Sequence, residues 1–246
     1  MITIAVCAQK GGVSKTTTSE ALILFLRKQG YKVLAMDLDL QGNMSAYFNP
    51  EHRFDAFDFV ENRIKPEEII EKDLIAGGPR LTYLNEFFEK NPLDTVKTII
   101  ENNNIDYDFM VIDTPPAINK VVLSALTISD YVITPTEATK DALDGVLQTI
   151  KAVEATNRQV NAKLRILGVL ITKYKDRYTL HRKFKVALDR NSSVTVFKTT
   201  IRESQAINTA KTYRKSFFDA EYARSKAVQD YERWGKEVLE LLGLKK

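Results

Sequence analysis

Two lysines that flank a glycine pair near the N-terminus are the residues in this chain with the clearest capacity for chemistry. They belong to a run of eight residues: Lys10, Gly11, Gly12, Val13, Ser14, Lys15, Thr16 and Thr17. Glycines allow backbone N–H groups to surround phosphate oxygens, and a following helix N-terminus adds partial positive charge. Because an apolar stretch precedes the run and an amphipathic one follows it, the run predicts a phosphate-binding loop in which all eight residues contact a nucleotide.

The types of residue in this loop suggest individual roles. Lys15 is placed to reach the β- and γ-phosphates as a point charge, and the Thr16 hydroxyl is placed to bind Mg²⁺. The loop departs from the ordinary pattern G-x-x-x-x-G-K-S/T, because Gln9 and Ser14 stand where that pattern has glycines. We therefore expect backbone strain at Ser14 if the loop requires a positive φ there.

Acidic residues follow two apolar segments that read as strands. Asp37 and Asp39 close the first segment, and Asp113 closes the strongly apolar segment Phe109–Asp113. Carboxylates at the carboxyl ends of parallel strands face a ligand bound above the sheet. We expect Asp113 to bind Mg²⁺, either directly or through water, beside the phosphate loop.

The elements that must position these residues alternate along the chain, which is typical of an α/β fold with a mostly parallel twisted sheet and helices on both faces. Together with the phosphate loop, this pattern predicts a P-loop NTPase fold. The predicted strands are Ile2–Ala8, Lys32–Asp37, Phe109–Asp113, Tyr131–Pro135, Ile166–Thr172 and Val194–Phe197. The predicted helices are Thr16–Lys28, Leu93–Asn102, Val121–Ile128, Leu143–Ala155, Leu180–Asp189, Glu203–Ala210 and Glu221–Leu242.

Composition favours one domain spanning residues 1–246, with 44% hydrophobic residues to form its core. The segment Asn49–Pro92 is the least regular part, and we expect two helices and one strand within it. A single cysteine excludes an internal disulfide and favours a reducing cytoplasm. Because a strand begins almost at the first residue, we expect neither a signal peptide nor an N-terminal DNA-reading domain.

Three segments together resemble the ParA/MinD family, also called deviant Walker A ATPases. The first is the phosphate loop, in which a second lysine precedes the two glycines. The second is the segment Asp37-Leu38-Asp39-Leu40-Gln41-Gly42-Asn43, and the third is Asp113-Thr114-Pro115-Pro116. The resemblance is closest to partition ATPases of the ParA/Soj type, and it covers most of the chain.

The resemblance implies a site, a reaction and a dimer. It implies that ATP, bound with Mg²⁺, is hydrolysed to ADP and phosphate, and that Lys10 reaches the nucleotide of a partner copy in an ATP-dependent homodimer. Asp39 is implied to orient the attacking water and Asp37 to support the Mg²⁺ shell. Thr172 and Lys173, at the end of a later strand, are implied to lie near adenine.

Charge is distributed unevenly along the chain. Residues 162–246 contain 20 Lys and Arg against 9 Asp and Glu, a net charge of +11, whereas the preceding residues contain 16 against 23, a net of −7. A split of this size favours contact with a polyanion such as DNA, although an uneven solvated surface also explains it. The candidate DNA-binding residues are Lys175, Arg177, Arg182, Lys183, Arg202, Lys211, Arg214 and Lys215.

The sequence therefore predicts a nucleoid-associated ATPase that binds DNA without sequence preference and segregates it. The resemblance implies a centromere-binding adaptor, similar to ParB, that stimulates hydrolysis. One alternative is a membrane-bound spatial regulator similar to MinD. The last helix carries the apolar stripe Tyr231, Trp234, Val238, Leu241 and Leu242, but its other face mixes acidic and basic residues, which favours core packing over lipid binding. A nucleotide-dependent metabolic enzyme is the other alternative. An Fe–S protein is excluded because Cys7 is alone.

Overall fold

A six-stranded sheet forms the centre of the structure, a computed structural model that describes residues 1–139, 141–190 and 195–244. The strands are β1 (Ile2–Val6), β2 (Val33–Asp37), β3 (Leu74–Ile75), β4 (Phe109–Asp113), β5 (Tyr131–Glu137) and β6 (Arg165–Thr172). Their order across the sheet is β3-β2-β4-β1-β5-β6, and every strand pairing is parallel. The predicted α/β class is thus confirmed.

Helices connect successive strands. Within the described residues they are α1 (Lys15–Lys28), α2 (Asn43–Phe48), α3 (Ala56–Glu61), α4 (Pro66–Ile69), α5 (Leu84–Lys90), α6 (Thr95–Asn102), α7 (Lys120–Ile128), α8 (Ala142–Gln159), α9 (Thr179–Arg190), α10 (Gln205–Thr212) and α11 (Lys226–Leu241). A 3₁₀ helix spans Pro79–Tyr83.

Both faces of the sheet are covered, which explains why its strands are short continuous apolar runs. Alternate residues of β2 show this directly: Val33 and Ala35 pack in a core with α1 and α11. Leu34 and Met36 pack in a second core with α3, α5, α6 and α7. All four residues are at most 1% exposed, so the central strand is fixed from both sides.

The predicted strands agree with the structure to within a few residues, except for the last. The predicted strand Val194–Phe197 begins at a residue outside the described part of the chain. Its remainder makes a parallel bridge between Val196 and Val169, and the N–H of Phe197 donates to the carbonyl of Val169. Within the described residues, this part of the chain therefore forms an isolated bridge beside β6 in place of the predicted strand.

Segment 49–92 and the two C-terminal helices differ from prediction. The segment contains the expected strand, β3, but has three α-helices and a 3₁₀ helix where two helices were predicted. The last helix begins at Lys226 instead of Glu221, because residues 219–225 form successive turns. In each turn, a backbone N–H donates to the carbonyl three residues earlier. The preceding helix begins after Ser204, whose hydroxyl caps it by accepting from the N–H of Ala206.

The last helix, α11, packs on α1 as core. Tyr231, Trp234 and Val238 are at most 2% exposed, and the Trp234 ring meets Phe197 edge to face. The burial of these three residues agrees with the predicted core role of the apolar stripe, whereas Leu241, at its C-terminal end, is 50% exposed. No helix in the described ranges has the length and apolar character needed to cross a membrane.

Two helical glycines give opposite predictions for substitution by alanine. A Cβ at Gly235 of α11 lies 2.5 Å from the buried Phe25 ring, whereas a Cβ at Gly145 of α8 meets nothing within 4 Å. We expect Gly235→Ala to lower the free energy of unfolding by about 1–3 kcal/mol through overpacking. Gly145→Ala is expected to raise it by up to about 1 kcal/mol through helix propensity.

Urea unfolding followed by circular dichroism measures both changes. Equal effects of the two substitutions would contradict the close packing of α11 on α1.

Candidate nucleotide-binding site

The carboxyl ends of three neighbouring strands meet at the predicted phosphate loop. Val6 of β1 is in register with Asp113 of β4, and Asp113 is in register with Asp37 of β2. The phosphate loop leaves β1 at this edge and enters α1 at Lys15. Parallel pairing thus brings together the loop and both strand-end carboxylates, as the sequence predicted.

The phosphate loop contains two left-handed residues. Gly12 has φ 78° and Ser14 has φ 66° with ψ 31°. Gly12 tolerates this conformation freely, but a residue with a Cβ does not. The predicted strain at Ser14 is therefore present in the structure, and the loop keeps its shape without a glycine at that position.

Side chains from β5 and β6 hold the phosphate loop from the side. The Thr172 hydroxyl lies 3.2 Å from the Val13 carbonyl and 3.1 Å from the Thr136 carbonyl, so its one proton is shared between them. Lys173 Nζ donates to the Gly12 carbonyl at 2.9 Å and pairs with Glu137 at 2.6 Å. Both side chains therefore support the loop.

A cavity of about 90 Å³ lies beside the loop, where α1 faces α10. It is lined by Ser14, Thr17, Thr172, Lys173, Ile201, Arg202, Glu203, Ser204, Ile207, Asn208 and Tyr231. Thr172 and Lys173 thus border a space next to the phosphate loop, which is compatible with the prediction that they lie near adenine.

Asp113 is a buried carboxylate at the centre of the site, with 1% of its surface exposed. Its Oδ1 accepts from the Ser19 hydroxyl at 3.0 Å, and the Thr16 side chain lies near enough to lower the pKa of the carboxyl group. Its Oδ2 has no hydrogen-bond partner among the described residues. Burial, reinforced by the nearby Asp37, raises the pKa of Asp113 to about 8.

These features fit a divalent cation. An orphaned buried carboxylate oxygen beside a threonine hydroxyl at a phosphate loop is the donor set that holds Mg²⁺ in P-loop proteins. Magnesium keeps waters and phosphate oxygens as its other ligands. The described ranges accordingly show no cluster of three or more His, Cys, Asp or Glu placed to hold a metal.

Asp37 is fully buried and fully engaged with the chain. Its Oδ2 accepts from the backbone N–H and the hydroxyl of Ser45 at 2.9 and 2.8 Å, and its Oδ1 accepts from the Asp39 N–H at 3.1 Å. Burial raises the pKa of Asp37 to about 6, against these hydrogen bonds. The predicted support of the Mg²⁺ shell by Asp37 stays a prediction.

Gly77 closes this arrangement from behind. Its N–H donates to the Ser45 hydroxyl at 2.7 Å, and a Cβ at this position lies 2.7 Å from the Asp37 carboxyl carbon and 2.8 Å from the Asp39 carbonyl oxygen. Only glycine fits there without displacing the acidic segment. Sequence reasoning missed Ser45 and Gly77. The run Gly77-Gly78-Pro79 is a local signal that could have indicated an unusual backbone there.

Asp39 and Lys10 lie at the open side of the site. Asp39 is partly exposed, and its Oδ1 accepts from the Gln41 N–H at 3.0 Å. Lys10 is exposed, and its Nζ donates to the Thr139 hydroxyl of the same chain at 3.0 Å. Their predicted roles toward water and toward a partner copy stay predictions.

The predicted DNA-binding residues fall into two groups. Arg177, Arg182, Lys183 and Arg214 are exposed. The others form ion pairs: Lys175 with Glu203, Arg202 with Asp230, Lys211 with Glu20, and Lys215 with Glu221.

Arg202 and Lys211 differ from the exposed pairs because their partners are buried. Two guanidinium nitrogens of Arg202 each lie 2.7 Å from Asp230, which is 1% exposed. Lys211 Nζ lies 2.6 Å from Glu20, which is 0% exposed. Breaking the pair with Lys211 leaves an uncompensated charge on Glu20, whereas Asp230 also contacts Arg233. Both Arg202 and Lys211 have structural contacts that the sequence did not reveal.

Fold and site together define a P-loop nucleoside triphosphatase. The model of the family AAA_31, described as an AAA domain, matches residues 1–166, more than half of the chain. The chain therefore belongs to this family of ParA/MinD-like P-loop ATPases.

Curated relatives extend over nearly the whole chain. The chromosome-partitioning ATPase Soj of Thermus thermophilus is 28% identical over 240 residues, covering 96% of this chain and 94% of the relative. The sporulation initiation inhibitor protein Soj of Bacillus subtilis is 28% identical over 253 residues, covering 96% and 97%.

Solved structures share the fold. A McdA variant from Cyanothece in complex with ATP has a TM-score of 0.85 at 20% identity, covering 100% of this chain and 98% of the other. Cobyrinic acid a,c-diamide synthase from Mycobacterium smegmatis with ADP and magnesium has a TM-score of 0.84 at 22% identity, covering 99% and 96%.

The strain at Ser14 gives a testable difference between two substitutions. Both Ser14→Gly and Ser14→Ala remove the hydroxyl, but only glycine relieves the left-handed backbone. We expect Ser14→Gly to be more stable than Ser14→Ala by about 1 kcal/mol in urea unfolding. An alanine variant as stable as the glycine variant would show that the loop does not hold position 14 at positive φ.

Proposed function

We propose that this protein is a partition ATPase: an ATP-dependent dimer that binds DNA without sequence preference and releases it after hydrolysis. The observation that carries the proposal is the meeting of a two-lysine phosphate loop with Asp113 and Asp37 at one edge of the sheet. The partition relatives that align with almost the whole chain support it. Nucleoid association and a ParB-like centromere-binding adaptor that stimulates hydrolysis belong to the same proposal.

The chain's own residues position the nucleotide and neutralise its charge. The phosphate loop and the N-terminus of α1 present N–H groups and partial positive charge to the phosphates. Lys15 is only 8% exposed, so its charge acts on the phosphates with little screening by water. Asp113 and the Thr16 hydroxyl would hold Mg²⁺, which would neutralise charge that develops on the phosphoryl oxygens.

Asp39 is the residue best placed to orient the attacking water. Its backbone N–H donates to Asp37 Oδ1, whereas its side chain is partly exposed. Hydrolysis of this kind relies on positioning and electrostatics more than on acid–base chemistry. In segment 37–45, Asp37 is thereby fixed at the edge of the sheet, while the Asp39 side chain stays accessible to a nucleotide.

Lys10 makes dimerisation part of the ATP cycle in this proposal. Its contact with the Thr139 hydroxyl is exposed, and the hydroxyl is a neutral acceptor. Exchanging the hydroxyl for a phosphate of the partner's nucleotide would pair the ammonium with an anion, which is a stronger interaction. ATP then stabilises the dimer and hydrolysis resets it.

The DNA surface is best supported around α9. Arg182 and Lys183 are exposed and border a shallow groove along this helix with Thr179, Val186, Ala187 and Arg190. Arg177 and Arg214 are also exposed, and the pairs of Lys175 and Lys215 with glutamates are surface pairs of the weak kind. Cations of this kind contact phosphates without reading bases.

The two loop lysines give different predictions. We expect Lys15→Ala to abolish ATP binding, because the main charge facing the phosphates is lost. Lys10→Ala is expected to keep ATP binding but to lose the ATP-dependent dimer. Equilibrium titration with a fluorescent ATP analogue and sedimentation velocity with ATP measure the two properties; an unaltered ATP-induced dimer in Lys10→Ala would refute the role of Lys10 in trans.

DNA binding tests the proposed function as a whole. We expect the protein to sediment with DNA only when ATP is present, and the affinity to fall on the order of 10²-fold between 50 and 200 mM salt if about four phosphates are contacted. Arg182→Ala/Lys183→Ala is expected to weaken binding at least tenfold. Lys90→Ala on α5, a lysine in a surface pair with Glu86, serves as the control.

The same assay with liposomes separates the alternatives. Liposome binding without DNA binding would replace the proposal with a membrane-bound regulator, and binding to neither would favour a metabolic enzyme.

A further inference from the structure

Glu20 is a buried carboxylate that the proposed reaction does not use. It lies on α1, one turn beyond the phosphate loop, and is 0% exposed. Burial raises the pKa of Glu20 to about 7, and Lys211 is the first influence that opposes this rise. Neither carboxylate oxygen accepts a geometrically regular hydrogen bond among the described residues, so the ion pair has to compensate the charge. A carboxylate this deep is costly unless a specific partner compensates its charge.

Lys211 is that partner, and it also touches the phosphate loop's helix. Its Nζ lies 2.6 Å from Glu20 Oε2 and donates to the Thr17 hydroxyl oxygen at 3.2 Å. Thr17 is 194 positions away in sequence and lines the cavity beside the loop. The ammonium therefore links the end of α10 to the first turn of α1.

The direction of this hydrogen bond determines what the Thr17 hydroxyl can do. An ammonium has only donors, so the Thr17 oxygen is the acceptor and its own proton must turn elsewhere. Thr17 is in the first turn of α1, where an anion is favoured. The hydroxyl proton is thus kept available for a phosphate oxygen.

We propose that Lys211 is a positioning residue of the nucleotide site. Glu20 holds its ammonium group in place, and the ammonium orients the Thr17 hydroxyl as a hydrogen-bond donor to the phosphate chain. Lys211 then does not contact DNA. This inference rests on the proposed ATP site. It reassigns a lysine that sequence analysis placed among the DNA-binding residues.

The test removes the charge pair without leaving a lone buried charge. Full-length Glu20→Gln/Lys211→Met is compared with wild type by titration with a fluorescent ATP analogue and by ATPase kinetics. We expect the dissociation constant and KM to rise about three- to tenfold, the effect of losing one hydrogen bond. We expect kcat at saturating ATP to stay within twofold.

A double-mutant cycle tests whether Lys211 acts through Thr17. In the Thr17→Val background, removal of the Glu20–Lys211 pair is expected to have no further effect on the dissociation constant, because the hydroxyl to be oriented is gone. Equal, additive effects in both backgrounds would overturn the proposal and leave Lys211 a purely structural role.

A matched control uses the second lysine–glutamate pair that ties α1 to a C-terminal helix. Lys28 Nζ lies 3.1 Å from Glu232 of α11 and away from Thr17. Lys28→Met/Glu232→Gln is expected to leave nucleotide affinity unchanged, and thermal midpoints of both double variants verify folding. Loss of affinity in this control as well would also overturn the proposal.

Failure of this inference and failure of the proposed function give different results. If the wild-type protein binds the ATP analogue and the Glu20→Gln/Lys211→Met variant binds it with the same dissociation constant, only the role of Lys211 is refuted. Wild type without any nucleotide binding would refute both, and wild type that binds ATP but not DNA would refute partition while leaving the Lys211 test intact.

Discussion

Parallel pairing of β4 with β1 and β2 is the constraint on which the site depends. It brings Asp113 into register with Val6 on one side and Asp37 on the other, and it directs the phosphate loop out of the sheet at the same edge. The carboxylates at this edge are buried, and burial raises the pKa of each. A cation bound at this edge would favour the ionised form of Asp113, which suits a protein whose ligand carries Mg²⁺.

Hydrogen bonds from distant segments give this edge its rigidity. Ser45 joins the Asp37 carboxylate to the Gly77 N–H, and Thr172 and Lys173 hold the carbonyls of the phosphate loop. Such contacts pre-organise the loop, so that little reorganisation remains when a nucleotide binds. The strain at Ser14 shows that the surrounding structure, not the local preference of the residue, determines the loop's conformation.

The candidate site was predictable wherever its residues are neighbours in sequence. Each of three segments contains its functional residues within about ten positions: the phosphate loop, the strand that ends at Asp113 and the segment Asp37–Asn43. Contacts between residues that lie far apart in sequence were not predicted. Gly77 is 32 positions from Ser45, and Arg202 is 28 positions from Asp230. The clustering of basic residues placed Arg202 and Lys211 among the DNA-binding candidates without showing their ion pairs, because an ion pair with a buried carboxylate leaves no local pattern.

The sequence by itself determined the fold class, the phosphate loop and the carboxylates that face it, since periodicity and short spacings encode strands, helices and loops locally. Tertiary structure alone decided which cations are exposed and which neutralise buried carboxylates. It also decided the packing of α11 against α1 and the link from Lys211 to Thr17. The reason is that burial and pairing depend on which surfaces meet when the chain folds, and the cost of an unpaired buried charge then determines each partner.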